Sequence, residues 1–152
     1  MSTFILKVKP IEHEGVAFHM PCRKTDGAAG YDLFAAIAKP ETIIAHGFAN
    51  LPTGVSIQLP GKEYAAFIYA RSGLAIRHGI TLTNGVGVID SDYTGELTVG
   101  LYNLSDNAYT FMPDERIAQM VIMPVCTPVL QQVEVLEETE RSAGGFGSTG
   151  RF

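Results

Sequence analysis

Residues 54–60, GVSIQLP, carry the clearest structural signal in the chain. Val55, Ile57 and Leu59 alternate there with polar residues, among them Ser56. Alternation with a period of two places the apolar side chains on one face of an extended segment and the polar side chains on the other. This stretch therefore predicts a half-buried β-strand with Ser56 on its outer face.

Further segments show the same strand-like pattern, and glycine, proline, asparagine and aspartate separate them at intervals of about eight to twelve residues. They are residues 4–9, 41–45, 96–104, 107–111, 118–125 and 131–136. No window has a long 3.6-residue period, so the one helix we predict is short. It covers residues 72–79, with Ser72 as its N-cap and Gly79 as its stop. The sequence predicts an all-β sandwich or barrel.

Length and composition limit the function classes. The 152 residues suit one domain, and a net charge of −5 argues against a broad basic surface for nucleic acid. No apolar run approaches the roughly 20 residues of a membrane-spanning helix, and residues 1–10 do not have the pattern of a signal peptide. Cys22, Cys126 and the four histidines lack metal-ligand spacing. We therefore expect a cytoplasmic protein that binds neither membranes nor nucleic acid.

Residues 141–152, RSAGGFGSTGRF, differ in composition from the rest of the chain. Four glycines and few apolar side chains offer little to offset the loss of about 1–2 kcal/mol of backbone entropy per ordered residue. We expect residues 1–140 to form the β domain and residues 141–152 to be a flexible arm. One alternative is a terminus with no role. Phe146 and the flanking arginines favour the other, which is a glycine-rich segment whose N–H groups bind an anion.

Two internal segments could hold polar ligands. Residues 70–75, ARSGLA, place a guanidinium and a hydroxyl where a strand meets the short helix, which suits an oxyanion but also fits a simple cap. Residues 82–99, LTNGVGVIDSDYTGELTV, contain two turn signals and predict a hairpin that gathers amide, carboxylate and phenol groups, or else an ordinary surface hairpin. Asp32 lies at a strand edge and could serve a hard cation or a turn.

Taken together, five ordered segments closely resemble the five motifs of the homotrimeric dUTP pyrophosphatases. They are AGYDL at 29–33, ARSGLA at 70–75, NGVGVIDSDYTGEL at 84–97, ERIAQMVIMPV at 115–125 and RSAGGFGSTG at 141–150. The chain departs from the family pattern at Ala70, where many members have proline, and at Asp114-Glu115, where Gly-Asp is usual. Neither departure removes a reacting group.

The resemblance implies a jelly-roll-like or β-clip fold and three active sites shared between the chains of a homotrimer. It implies hydrolysis of dUTP to dUMP and pyrophosphate with Mg²⁺, which lowers dUTP and supplies dUMP for thymidylate synthesis. Water would attack the α-phosphate without a covalent intermediate, which agrees with the absence of a Cys–His or Ser–His nucleophile pattern in the sequence.

Site residues follow from the same resemblance, motif by motif. Asp90 would orient and deprotonate the water, and Tyr93 would pack against the deoxyribose and leave no room for a 2′-hydroxyl. The uracil edge would be read by Asn84 and by the backbone of Gly87, Val88 and Ile89. The phosphates would be held by Arg71, Ser72, Gly73 and Gln119. Asp32 would reach the metal through water, and Arg116 would support the closed tail. In the tail, the resemblance assigns the uracil-covering ring to Phe146 and the phosphate contacts to Arg141, Gly147, Ser148 and Thr149.

Two competing interpretations have different chemistry. A dCTP deaminase of the same superfamily, or a bifunctional form, places a catalytic glutamate beside the pyrimidine and usually lacks a Phe-Gly-Ser-Thr tail, whereas this chain has VIDSDY at 88–93. A nucleotide-sensing or capsid-like module could share the fold without catalysis, because fold alone does not give function. Asp90 argues against that module.

Overall fold

A computed structural model describes residues 4–145, and in that range the chain forms ten strands and one short helix. The elements in chain order are β1 (Lys7–Pro10), β2 (Tyr31–Phe34), β3 (Glu41–Ile43), β4 (Phe48–Gln58), β5 (Tyr64–Ala70), α1 (Ser72–His78), β6 (Ile80–Leu82), β7 (Gly87–Ile89), β8 (Glu96–Asn103), β9 (Tyr109–Phe111) and β10 (Arg116–Pro124). No helix within these residues is long and apolar enough to cross a membrane.

Three antiparallel sheets make up the fold. One has the strand order β1-β4-β8-β6, the second has the order β2-β10-β5-β7, and β3 pairs with β9 in a two-stranded sheet. Apolar side chains from all three sheets form one core, for example Leu97, Met120 and Ile43. The arrangement confirms the prediction of an all-β, jelly-roll-like fold with one short helix.

The alternation at residues 54–60 is confirmed for the apolar face but wrong at one polar position. Val55, Ile57 and Leu59 are buried and Gln58 is exposed, as predicted, but Ser56 is only 3% exposed. The β4–β8 register shifts between Pro52 and Ser56. This shift is a β-bulge in β4. Ser56 can be buried beside the bulge because its hydroxyl donates a hydrogen bond to the carbonyl of Thr94, two residues before β8.

Helix α1 follows β5 as predicted, but its first turn differs from the prediction. Arg71, not Ser72, occupies the N-cap position, and no side chain caps the helix there. Gly79 ends the helix in the left-handed conformation (φ 68°), where a glycine has no Cβ to clash, so that prediction is confirmed. Leu74 is the one buried side chain of the helix.

Two other predictions are wrong. Residues 131–136 form no strand and are exposed along their length, because they pair with no strand of the three sheets. Residues 82–99 do not form one hairpin, since β6 pairs with β8 whereas β7 pairs with β5. The turn between β6 and β7 therefore connects two sheets.

Candidate functional site

A buried carboxylate lies between two arginines at one end of the second sheet. Asp32 Oδ1 accepts a hydrogen bond from Arg71 Nε at 3.0 Å, and Asp32 Oδ2 accepts one from an Arg116 terminal nitrogen at 3.0 Å. Arg71 also donates to the backbone carbonyl of Arg116 at 3.1 Å. Ionised partners make these hydrogen bonds stronger than neutral ones, so Asp32 fixes the direction of both guanidinium groups.

Strand order explains why these residues meet although they are far apart in the chain. β10 lies between β2 and β5, and its Gln119 is paired with Asp32 on one side and with Tyr69 on the other. Arg71 follows the last residue of β5, and Arg116 is the first residue of β10. The antiparallel registers thus place all three charged groups at the same end of the sheet.

Gln119 is held in place beside them. Its Nε2 donates to the carbonyl of Ala70 at 3.0 Å. A Cβ at Gly30 would lie 2.6 Å from Gln119 Oε1, so a larger residue at position 30 would displace the amide from its present position. The glycine of the AGYDL segment therefore makes room for the amide.

These groups line a cavity of about 430 Å³, a volume that falls within the size range of small-ligand sites. Its lining consists of Lys24, Ala28, Ala29, Gly30, Asp32, Tyr69, Arg71, Ser72, Gly73, Arg116, Gln119 and Val121. Three cations and a single carboxylate give the cavity an excess of positive charge. Together with the Ser72 hydroxyl, they form a site suited to phosphate oxygens.

A tyrosine–glutamate pair lies near the arginines. The Tyr109 hydroxyl donates to Glu115 Oε1 at 2.5 Å, and Glu115 Oε2 accepts the Met112 N–H at 2.9 Å. Burial, with the hydrogen bond to Glu115, raises the pKa of Tyr109 to about 12, although the Arg71 charge opposes this shift. The pair connects β9 to the residue immediately before Arg116.

Asp90 and Tyr93 line a different, smaller cavity. The other residues around it are Val88, Ile89, Glu96, Leu97 and Thr98. The Tyr93 N–H donates to the Asp90 carbonyl at 3.2 Å, which closes a turn between the two residues that line the cavity. Asp90 is exposed, and no donor within residues 4–145 hydrogen bonds to its carboxylate. A free carboxylate beside an aromatic ring can accept a proton from a bound water.

Asn84 lies on the turn that connects the two sheets. Gly85 has φ 71°, and its N–H donates to the carbonyl of Leu82 at 3.2 Å, so the predicted Asn-Gly turn is confirmed. A Cβ at Gly87 would lie 3.0 Å from the Cβ of Ile68, so glycine there allows β7 to pack closely on β5. Val88 is 58% exposed on the outer strand of the sheet.

The candidate residues thus form separate groups on the chain. Asp32, Arg71, Ser72, Gly73 and Gln119 lie in the basic cavity, and Val88, Ile89, Asp90 and Tyr93 lie in the smaller one; the two linings share no residue. Arg141 lies on an exposed segment, where its Nε donates to the Gly144 carbonyl. The predictions for Phe146, Gly147, Ser148 and Thr149 lie outside the described residues.

Sequence reasoning missed two features of the site. No motif contains Lys24, yet this residue lines the basic cavity. Glu96 lies in the segment 84–97 and was not predicted to have a role, although its carboxylate accepts two hydrogen bonds beside Tyr93. The sequence gives no signal for this role, because Glu96 is out of phase with the buried residues Leu97 and Val99 and its partners come from distant parts of the chain.

Comparisons with known proteins give consistent results. The model of the dUTPase family matches residues 17–150. The deoxyuridine 5'-triphosphate nucleotidohydrolase of Xylella fastidiosa (strain M12) is 43% identical over 149 residues, which cover 94% of this chain and 96% of that protein. The enzyme of the same name from Psychrobacter sp. (strain PRwf-1) is 48% identical over 135 residues and 88% of each chain.

Solved structures agree with the sequence comparison. The dUTPase of Staphylococcus bacteriophage 80alpha, solved with dUPNHPP, superposes with a TM-score of 0.85 at 30% identity and covers 97% of this chain and 99% of its own. A point mutant of the dUTPase from the S. aureus phage phi11, described as revealing the coordination of a structural Mg(II) ion, has a TM-score of 0.77 at 25% identity. It covers 89% of this chain and all of its own.

Proposed function

The chain belongs to the dUTPase family, and from this we propose that it hydrolyses dUTP to dUMP and pyrophosphate. The single observation that carries the proposal beyond family membership is the combination of a basic cavity of small-ligand size with an exposed carboxylate free of hydrogen bonds within the described residues. The reaction would lower dUTP and supply dUMP for thymidylate synthesis. A carboxylate, a bound water and positive charge around the leaving group are sufficient for this chemistry.

Asp90 is the proposed base. Its carboxylate orients a water in line with the α-phosphorus and accepts a proton from it as the oxygen–phosphorus bond forms. The bond to the bridging oxygen breaks, and the electron pair leaves with pyrophosphate. Arg71, Ser72 and Gln119 bind the phosphate oxygens on which charge accumulates, and the Asp32 ion pairs keep Arg71 directed into the cavity.

Mg²⁺ is the proposed cofactor, and the donor set limits how it would bind. No group of three His, Cys, Asp or Glu side chains that could hold a metal ion exists in residues 4–145. Each Asp32 oxygen accepts one arginine hydrogen bond and keeps another lone pair, which suits contact through a metal-bound water. Mg²⁺ usually keeps several waters and binds substrate phosphates. When bound, the ion supplies charge neutralisation at the phosphates.

The outer edge of β7 is the proposed reader of uracil. β7 is the last strand of its sheet, so its outer backbone groups have no ladder partner in the described residues. Fixed N–H and C=O groups of Gly87, Val88 and Ile89, with the Asn84 amide, would match the uracil edge. Cytosine has its donors and acceptors exchanged and would leave buried polar atoms unpaired.

We further propose that each active site is shared between chains of a homotrimer. β7 runs antiparallel to β5 with Ile89 opposite Ala66, so Asp90 lies near the start of β5 while Arg71 follows its end. Roughly five to six strand residues separate the two sites, which corresponds to about 20 Å. One chain therefore does not bring its own base to its own phosphate cavity, and a neighbouring chain can. The number of chains rests on the family resemblance.

The tail residues complete the proposed site. Phe146 would cover the uracil ring, and Arg141, Gly147, Ser148 and Thr149 would close over the phosphates. Support comes from the exposed segment that leads to them, whose apolar side chains, such as Leu136, are exposed (81% for Leu136) and make no core. A lid must open to release product, so it belongs to the least stable part of a fold.

The experiment that tests this function is pyrophosphate release measured with dUTP, dTTP, dCTP and UTP, with and without EDTA. We expect rapid release from dUTP alone, and its loss when the chelator removes Mg²⁺. Ammonia release from dCTP would indicate the deaminase instead. No release from any of the four nucleotides would contradict the proposal.

A further inference from the structure

We propose that Glu96 is a positioning residue for sugar selection: its anchored carboxylate holds the 93–96 turn so that the Tyr93 ring stays rigid against the substrate sugar. The inference rests on the proposed function, because it assumes that Tyr93 packs against the deoxyribose. It adds a specificity determinant outside the residues assigned to substrate contact.

The Tyr93 phenol is tied to the backbone of Glu96. Its hydroxyl donates to the Glu96 carbonyl at 3.0 Å. The ring lies against Gly95, where an added Cβ would come within 2.5 Å of the hydroxyl oxygen and 2.6 Å of the carbon that bears it. The hydroxyl is thus engaged within the protein, while the side chain remains 46% exposed. The ring can act as a wall because one end of it is fixed.

The Glu96 side chain is itself fixed from a second strand. Its Oε1 accepts the Gly54 N–H at 2.8 Å and His13 Nε2–H at 2.7 Å, and the side chain is 21% exposed. Gly54 lies in the β4 bulge with φ 67°, where the β4–β8 ladder gives its N–H no partner. A buried backbone N–H without a partner costs free energy, so Glu96 and the bulge depend on each other.

Neighbouring hydrogen bonds hold the chain on either side of Glu96. Ser56 Oγ donates to the Thr94 carbonyl, and Thr53 Oγ donates to the Leu97 carbonyl, each at 2.6 Å. Only the Glu96 anchor leads directly to the Tyr93 hydroxyl, because the same residue supplies both the anchored carboxylate and the accepting carbonyl. Loss of this anchor should loosen the ring, whereas loss of the Thr53 bond should only weaken the strand.

The energetic consequence concerns UTP more than dUTP. A ribose 2′-hydroxyl has to displace the ring or meet it at less than contact distance, and the penalty grows with the stiffness of the ring. A Tyr93 ring that can move aside discriminates poorly against the added 2′-hydroxyl. dUTP requires no displacement, so its turnover depends little on this anchor.

The test compares kcat/KM for dUTP and UTP in wild type, Glu96→Ala, Glu96→Gln and Tyr93→Phe. We expect Glu96→Ala to lower the dUTP/UTP ratio by about tenfold, mainly through a lower KM for UTP. Glu96→Gln should restore most of the ratio, because its amide oxygen still accepts the Gly54 N–H. Tyr93→Phe keeps the ring but loses the donor to the Glu96 carbonyl, and it should reproduce the Glu96→Ala defect without disturbing the bulge.

Thr53→Ala is the matched control. It removes a buried hydrogen bond of the same bulge and should lower the melting temperature, yet leave the dUTP/UTP ratio unchanged. Equal losses of the ratio in Thr53→Ala and Glu96→Ala would assign the effect to general loosening and overturn the inference. If the wild type hydrolyses dUTP, an unchanged ratio in Glu96→Ala or in Tyr93→Phe would overturn this inference but not the proposed function. A wild type without dUTP hydrolysis would overturn the proposed function as well.

Discussion

Asp90 and Arg71 lie at opposite ends of β5. Asp90 follows Ile89, which is paired with Ala66 near the start of β5, and Arg71 follows Ala70 at its end. The strand rise makes their separation about 20 Å. The proposed base and the proposed phosphate-binding guanidinium therefore belong to different sites on one chain, which is why we propose that a second chain brings them together.

Replacement of the proposed base should abolish chemistry and spare the fold. Asp90→Asn keeps the shape of an exposed side chain that has no hydrogen-bond donor in the described part of the chain, so stability should not change. Turnover should fall by about 10²–10⁴-fold, the usual contribution of general base catalysis. Single-turnover kinetics would measure the loss of chemistry and denaturant unfolding would measure stability, and Asp92→Asn serves as a control on the same turn. Near-normal turnover in Asp90→Asn would remove Asp90 from this role.

Neutralising Asp32 should cost both stability and phosphate binding. Asp32→Asn leaves Arg71 and Arg116 close together without their shared carboxylate. The arginine side chains are 25% and 36% exposed, so solvent screens them and we expect a loss of about 2 kcal/mol, less than for a fully buried pair. Denaturant unfolding measures this loss. KM for dUTP should rise in the same variant.

The control for Asp32→Asn is Asp114→Asn, which removes an exposed carboxylate paired with His19. The Asp114 side chain is 51% exposed, so its replacement should lower the unfolding free energy by less than about 1 kcal/mol. Equal losses in the two variants would mean that the Asp32 ion pairs contribute no more than a surface pair.

Tyr109 should make stability depend on pH in the alkaline range. Its pKa is raised to about 12 in the folded state, from 10.0 for an ordinary tyrosine. The unfolded chain therefore loses this proton at lower pH than the folded chain does. The stabilisation is complete below pH 10 and is lost as the pH rises towards 12.

Unfolding free energies of wild type and Tyr109→Phe, measured from about pH 8 to 12, test this dependence because phenylalanine has no proton to lose. The difference between the two proteins should narrow above about pH 10. Tyr102→Phe, a half-buried tyrosine of β8, controls for general alkaline effects. A difference that stays constant over this range would contradict the assigned pKa.

Removal of residues 141–152 should separate the tail from the fold. The described part of this segment is largely exposed and makes only local hydrogen bonds, such as Ser142 to Thr139. Melting temperature and assembly mass should therefore hardly change, while turnover falls sharply. Phe146→Ala in the full-length chain should show a smaller loss, since stacking on a base contributes about 1–3 kcal/mol. Full activity in the truncated protein would leave the tail without a role.

Local patterns in the sequence predicted local structure well. The period-two pattern located β8 and β10, the Asn84-Gly85 pair located a turn, and Gly79 located the end of α1. Each of these depends on neighbouring residues alone. The Ser72 cap was wrong because Arg71 already has the extended dihedrals of an N-cap, with φ −84° and ψ 130°.

Non-local pairing could not be predicted from spacing. Asp32 meets Arg71 and Arg116 across gaps of 39 and 84 residues, and only the strand order of the second sheet brings them together. The turn at Asn84 was predicted, but no local signal indicates that β6 and β7 join different sheets. Residues 131–136 have the alternation of a strand but pair with none of the three sheets. The period-two pattern indicates that a segment tends to be extended, but a strand forms only where another strand pairs with it.

Active-site sharing is tested most directly with hybrids of two inactive variants, Asp90→Asn and Arg71→Ala, that carry different affinity tags and are refolded together. If a site takes Asp90 from one chain and Arg71 from the next, each mixed trimer has one intact site in three. Equal amounts should then recover about one quarter of wild-type dUTP hydrolysis. Hybrids that contain both chains by mass and remain inactive would mean that one chain supplies both residues, which would contradict the account.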